Sequence, residues 1–249
     1  MEATVFNNGG VLTIAAGSRK SHDVKRLQRV QAVMSKPKEK AELQATVYDD
    51  GWFSRTAIRH LSQSVQATTG ISSSKEGYES FLEVTSLMWR NIKTTDQQHE
   101  LVLKALQKAF PNYILSLIRR LLPPSKATRE FFAIFTTLFF YWLVGPSEVK
   151  ALEVDGKTER SLVHIKKCRF LVGSNCVGMC TNLCKIPSQK FLKDSFGIPV
   201  TMVPNFEDMS CEMKFGVEPP AAEDDPAMKQ PCYSFCKLKR RHNKECSNI

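Results

Sequence analysis

The chain has 249 residues, a 42% apolar share and a formal net charge of +10. That length and composition support one large domain or two small ones with a real hydrophobic core. Eight cysteines are too few to staple a scaffold of this length, and no basic stretch leading into an apolar run follows Met1 as a secretory signal would require. Disulfides are therefore not the default expectation, and a cluster of cysteines points to metal binding or catalysis.

The positive charge is unevenly placed. Residues 1–40 carry eight basic side chains and three acidic ones, half of the net total. An acid-poor, basic leader of this kind resembles an organelle transit peptide, and residues 1–45 are read as one. The second basic run, "KLKRRHNK" from Lys237, belongs to a tail at 239–249. No aromatic side chain interleaves it and no nucleic-acid-binding motif surrounds it, so no nucleic-acid partner is expected.

Region 46–146 reads as helical. In "DDGWFSRTAIRHLSQSVQATTG" the apolar residues Phe53, Ala57, Ile58, Leu61 and Val65 recur at helical spacing, with Asp49 or Asp50 as N-cap and Gly70 as the stop. "SSSKEGYESFLEVTSLMWRNI" repeats the pattern. "TTDQQHELVLKALQKAF" predicts a third helix capped by Thr95, with Gln98 completing a capping box. "NYILSLIRRLL" is a fourth, ended by Pro123 and Pro124. The uncharged run Phe131–Val144 is read as a fifth helix of 14 residues. At about 1.5 Å per residue it spans roughly 21 Å, short of a bilayer core of about 30 Å. It is either a buried core helix or one that dips into a single leaflet or lines a channel for a very apolar ligand. Phe135, Phe139 and Trp142 are the candidate substrate contacts.

Region 147–238 changes character. "SLVHIKKCRFLV" reads as a strand, "IPSQKFLKDSFG" as a helix beyond Pro187, and "IPVTMVP" and "MSCEMKFG" as two short strands joined by "NFED". A helical turn is expected at "PCYSFCKL". The fold class is α+β: a helical N-terminal half packed on a smaller cysteine-rich α+β C-terminal half.

Seven of the eight cysteines fall between Cys168 and Cys236. Cys180 and Cys184, like Cys232 and Cys236, stand one helical turn apart, with Cβ atoms about 6 Å apart on one face. Parallel side-chain vectors disfavour a disulfide within either pair and suit a metal bound across the face. Cys176 lies about 12 Å from Cys184 in an unbroken helix; if the helix starts near Met179, after Gly178, Cys176 can curl back and the helix N-terminus favours thiolates. Two such pairs suffice for a zinc site, iron–sulfur centres also take four thiolates, and buried free thiols are the bland alternative. The five histidines form no ligand cluster; a facial triad using His60 and His164 remains open, although each reads more simply as an ordinary surface or packed histidine.

The segments "KKCRFLVGSNCVGMCTNLCKIPSQ", "DSFGIPVTMVPNFEDMSCEMKFG" and "DDPAMKQPCYSFCKL", preceded by "PPSKATREFFAIFTTLFFYWLVGPSEV", resemble the dwarf twenty-seven family of plant plastid β-carotene isomerases of strigolactone biosynthesis. The resemblance runs from about Tyr48 to Leu238. It implies a plastid enzyme that interconverts all-trans- and 9-cis-β-carotene and contains non-haem iron, mononuclear or as an iron–sulfur cluster. The candidate metal ligands are Cys176, Cys180, Cys184, Cys232 and Cys236, with Cys168 and Cys211; Cys246 lies outside the resemblance and takes no role. A carotenoid is the expected partner, together with peripheral membrane contact. The rival reading is a non-catalytic iron–sulfur or zinc protein, such as a plastid electron carrier.

Overall fold

A computed structural model describes residues 48–234. Six helices come first: α1 (Trp52–Thr69), α2 (Gly77–Asn91), α3 (Thr95–Ala109), α4 (Asn112–Leu121), α5 (Lys126–Phe139) and the single turn α6 (Tyr141–Val144). A hairpin of β1 (Ser147–Val154) and β2 (Lys157–Ile165) follows. Then come α7 (Arg169–Ser174), the short α8 (Val177–Met179), a π-helical segment Cys180–Lys185, α9 (Ile186–Phe196) and strands β3 (Val200–Pro204) and β4 (Cys211–Phe215). The α+β class expected from the sequence is the one found.

The four strands form one antiparallel sheet in the order β1-β2-β4-β3. Its pleat sorts side chains by face. Val163, Ile165, Met213, Phe215 and Val200 are buried, whereas the register row Glu148–His164–Glu212 carries polar groups on the opposite face. The hairpin turns at Asp155 and Gly156, both with positive φ (51° and 71°), the combination that matches the twist of the flanking strands. Helix α5 is tied to β2 by the bidentate pair of Arg129 with Glu159, at 2.8 and 2.5 Å. Among the described residues no helix is long and apolar enough to cross a membrane.

Several local expectations are corrected. Gly51, not Asp49 or Asp50, is the N-cap of α1; the Asp50 carboxylate instead accepts two hydrogen bonds of 2.7 Å from Arg169. The N-cap of α3 is Thr94, with no side-chain cap, because Gln98 is buried and donates to the Ile92 carbonyl at 2.7 Å. The run 131–144 is not one helix. It breaks at Phe140 (φ −97°, ψ 12°), and tertiary donors collect the carbonyls of the short α6: Tyr78 donates to Leu143 O at 2.8 Å and Arg169 to Trp142 O at 3.0 Å. The strand expected over "SLVHIKKCRFLV" stops at Ile165, and Arg169–Ser174 is helical. Strand β1 (Ser147–Val154) has no counterpart among the elements expected from the sequence. The helical turn expected at "PCYSFCKL" is present at residues 231–234; its continuation, including Cys236, lies outside the described residues, as do the leader and the basic tail.

Candidate functional site

Helices α1, α3, α5 and α6 enclose a cavity of about 280 Å³. α1 contributes Phe53, Thr56, Ala57, His60 and Leu61, α3 and its end Leu106, Ala109 and Phe110, and the α5–α6 corner Phe139, Phe140, Trp142 and Leu143. The wall is almost entirely carbon. Phe53, Thr56 and His60 are exposed, while Leu61, Ala109 and Trp142 are buried, so the cavity opens between the start of α1 and Phe139 and runs inward. A second void, about 70 Å³, shares Leu61, Leu106 and Leu143 with the first and ends against Leu183, Cys184 and Ser188. The three leucines stand between an open apolar chamber and a smaller neighbouring void faced by a thiol.

Of the candidate substrate contacts, Phe139 and Trp142 are on the cavity wall. Phe135 stands behind the wall, stacked on Phe139 with ring centroids 4.8 Å apart. The Trp142 indole N–H is buried and has no hydrogen-bond partner among the described residues. His60 Nε2–H donates to the Ala109 carbonyl at 3.1 Å, which uses up that nitrogen. His164 sits on β2 between Glu148 and Glu212 in the sheet register, and Asp208 close by feels its charge. Among the described residues no group of three His, Cys, Asp or Glu side chains stands ready to hold a metal ion, so the facial triad using His60 and His164 is not formed.

Four of the predicted cysteines lie near enough to feel one another's charge, although no three of them are arranged to hold a metal ion. Cys180 and Cys184 lie on the π-helical segment, where α8 and α9 meet. A π turn takes in an extra residue and re-aims the side chains around it, and such turns concentrate at functional sites. Cys211 opens β4 opposite Ile165, three residues before Cys168, whose own N–H is held by the Met209 carbonyl at 2.7 Å. The sheet register and this bond therefore carry Cys168 and Cys211 to the same place. Cys180 feels the charges of Cys184, Cys211 and Cys168, and Cys211 those of Cys168 and Cys184.

Burial pushes the thiols of Cys168, Cys180 and Cys211 up from their ordinary range. Cys184 is pushed up to about 12, by burial first and Cys168 second, against a hydrogen bond from Ser188. The thiolate bias expected from a helix N-terminus is thus overridden at Cys180 and Cys184, because desolvation acts on both. Without a cation these groups are neutral thiols near pH 7; a bound metal would displace their protons. An all-sulfur donor set fits a thiophilic metal such as iron or zinc, and closing it on an ion requires side-chain movement. Cys176 is the half-buried N-cap of α8, its carbonyl accepting from the Cys180 N–H at 3.0 Å, and Cys232 is exposed.

No sequence pattern points to the polar clasp beside the thiols. Lys185, 1% exposed, forms a buried ion pair with Asp225, and Asp225 Oδ1 accepts from the Ala227 N–H at 3.0 Å. Tyr233 donates to Asn182 Oδ1 at 3.0 Å. Both bonds fasten the segment after β4 across the π turn. Gly178 also has a second role: a Cβ there would lie 2.2 Å from Cζ2 of Trp89, so its absence lets α8 approach α2.

Residues 142–224 match the family described as "Beta-carotene isomerase D27-like, C-terminal". The chain is 57% identical over 221 residues to "Beta-carotene isomerase D27, chloroplastic" of Medicago truncatula, covering 87% of each chain. To the protein of the same name in Arabidopsis thaliana it is 54% identical over 196 residues, 78% of this chain and 74% of the relative. No solved structure matches. The chain belongs to the beta-carotene isomerase D27 family.

Proposed function

We propose that this protein is an iron-dependent plastid isomerase that interconverts all-trans- and 9-cis-β-carotene, the first step toward carlactone and strigolactones. The observation that carries this reading is the carbon-lined chamber beside a second void that reaches Cys184, with Leu61, Leu106 and Leu143 bordering both, in a chain whose relatives are named chloroplastic β-carotene isomerases. β-Carotene has no polar handle, so its recognition has to come from apolar shape. At about 280 Å³ the chamber lies below the roughly 300–1,000 Å³ usual for drug-sized ligands. The polyene therefore enters end-on and leaves its other end outside, in the lipid phase with which the protein makes peripheral contact.

Rotation about a conjugated double bond with a barrier of about 25 kcal/mol occurs once in days; a barrier of about 16 kcal/mol gives roughly 10 events per second. An apolar wall positions the chain but supplies little of that difference. Cys168, Cys180, Cys184 and Cys211 are the residues assigned to hold iron, either as one ion or as a cluster. Iron held by these thiolates would supply one-electron or Lewis-acid chemistry at that end of the site. The wall excludes water, Phe139 and Trp142 hold the polyene, and Leu61, Leu106 and Leu143 set how far it advances toward Cys184. An electron carrier has no use for such a chamber.

The test is chromatography of carotene isomers after incubating anaerobically purified protein with either isomer in detergent. Interconversion is expected, with Phe139→Ala lowering turnover by the loss of an apolar contact worth roughly 1–3 kcal/mol. Cys180→Ser and Cys184→Ser are expected to lose most bound iron, whereas Cys246→Ser keeps it. Stoichiometric zinc without iron would refute the metal assignment.

A further inference from the structure

We infer that the apolar face made by the first turn of α1 and the outer side of α5 is a lipid-docking surface that turns the cavity mouth toward an anionic bilayer; the inference rests on the isomerase reading above. Helix α5 buries Thr128, Phe132, Ala133 and Thr136 on one side. On the other, Phe131, Ile134 and Leu138 recur at helical spacing and are 46%, 46% and 76% exposed. Trp52 is 75% exposed. The two helices are joined by an unbroken series of ring contacts: Trp52 to Phe53 at 6.0 Å, Phe53 to Phe139 at 5.3 Å, Phe139 to Phe135 at 4.8 Å and Phe135 to Phe131 at 6.0 Å. Soluble monomers rarely leave a contiguous apolar face of this kind uncovered. Phe53 and Phe139 belong to both the face and the cavity wall, so whatever covers the face also meets the mouth.

Charge selects the occupant. Arg55 and Arg59 follow Trp52 along the same helical stripe, are exposed, and make no ion pair among the described residues. Residues 51–60 and 131–144 contain no acidic side chain; of the two acids just before α1, Asp50 is engaged by Arg169 and Asp49 is exposed, leaving one free carboxylate beside two arginines. Exposed aromatic and aliphatic wedges beside an excess of arginine form the interfacial pattern of proteins that lie on anionic membranes. A water-insoluble polyene that fits only partly into the chamber is drawn directly from such a surface.

The experiment is flotation of the full-length protein with phosphatidylcholine vesicles, with and without phosphatidylglycerol. Because the basic leader is common to all variants, differences between variants report the face. Trp52→Glu/Leu138→Gln is the main variant. Neither residue touches the cavity, and a carboxylate in the first turn of α1 favours the helix. Its vesicle partition is expected to fall at least about tenfold. Arg55→Gln/Arg59→Gln is expected to lose roughly fivefold per arginine on anionic vesicles only. Turnover of Trp52→Glu/Leu138→Gln should match wild type on detergent-delivered carotene and fall on vesicle-embedded carotene. Unchanged flotation of that variant overturns the inference. So does a wild-type dimer that the same substitutions convert to monomer, which would make the face a self-association surface. Absence of isomerisation in detergent by iron-replete wild type would remove the isomerase reading, while flotation still reports on the face.

Discussion

Helix α5 and the π-helical segment Cys180–Lys185 break the usual sorting of residues in opposite directions. α5 turns Phe131, Ile134 and Leu138 to solvent, where water gains nothing from them. The π segment takes Thr181, Asn182 and Lys185 into the interior at 0–1% exposure, where each polar group needs a partner. The two departures border adjoining voids: α5 carries Phe139 on the wall of the larger, and the π segment carries Cys184 on the wall of the smaller. Packing alone would favour neither. The comparison separates an outer region lined by carbon from an inner one that collects a buried ion pair and thiols.

The inner region gives the largest expected effect. Lys185→Met leaves the Asp225 carboxylate buried without its partner, which costs about 3–5 kcal/mol and should lower the melting temperature by on the order of 10 °C. Lys185→Met/Asp225→Leu should recover most of the loss, because a matched apolar pair can replace a buried ion pair. Equal melting of both variants and wild type would show that the pair is not the fastening of the π segment. Gly178→Ala comes next. Its Cβ would meet the Trp89 ring at 2.2 Å, and such overpacking costs about 1–3 kcal/mol; adding Trp89→Leu should relieve it in denaturant melts. The smallest effect is expected far from these voids, at Glu159. Its carboxyl is held below the ordinary range, first by the hydrogen bond from Arg129. A carboxylate with a lowered folded pKa contributes stability above its unfolded pKa and loses it as pH falls through the folded one. The melting difference between wild type and Glu159→Gln should therefore be constant from neutral pH to about pH 5 and shrink below it.

Periodicity made α1–α4 legible, because apolar residues recur at helical spacing in each, and alternation revealed β3 and β4. The helix caps failed where a polar side chain had a distant use. Asp50 reaches Arg169, 119 residues away, and no local pattern reports such a partner. Strand β1 hid because its polar Glu148 and Lys150 and a register shift between Lys150 and Leu152 blur the alternation, although Asp155-Gly156 was a readable hairpin signal. The Cys180/Cys184 pair was visible in its spacing. The approach of Cys168 and Cys211 to it depends on sheet register, which spacing does not encode. The chamber was half legible: Phe139 and Trp142 belong to the apolar run that drew attention, while the α1 and α3 walls looked like ordinary core faces.

The central claim is that substrate advances past Leu61, Leu106 and Leu143 toward Cys184. Leu106→Trp tests it most directly, since Leu106 borders both voids and a larger ring there narrows the space between them. Isomer chromatography and iron analysis on the same folded sample are the measurement. The account predicts at least a tenfold loss of carotene turnover, about 1.4 kcal/mol or more in the barrier, with iron content unchanged. Wild-type turnover by an iron-replete Leu106→Trp protein would contradict it.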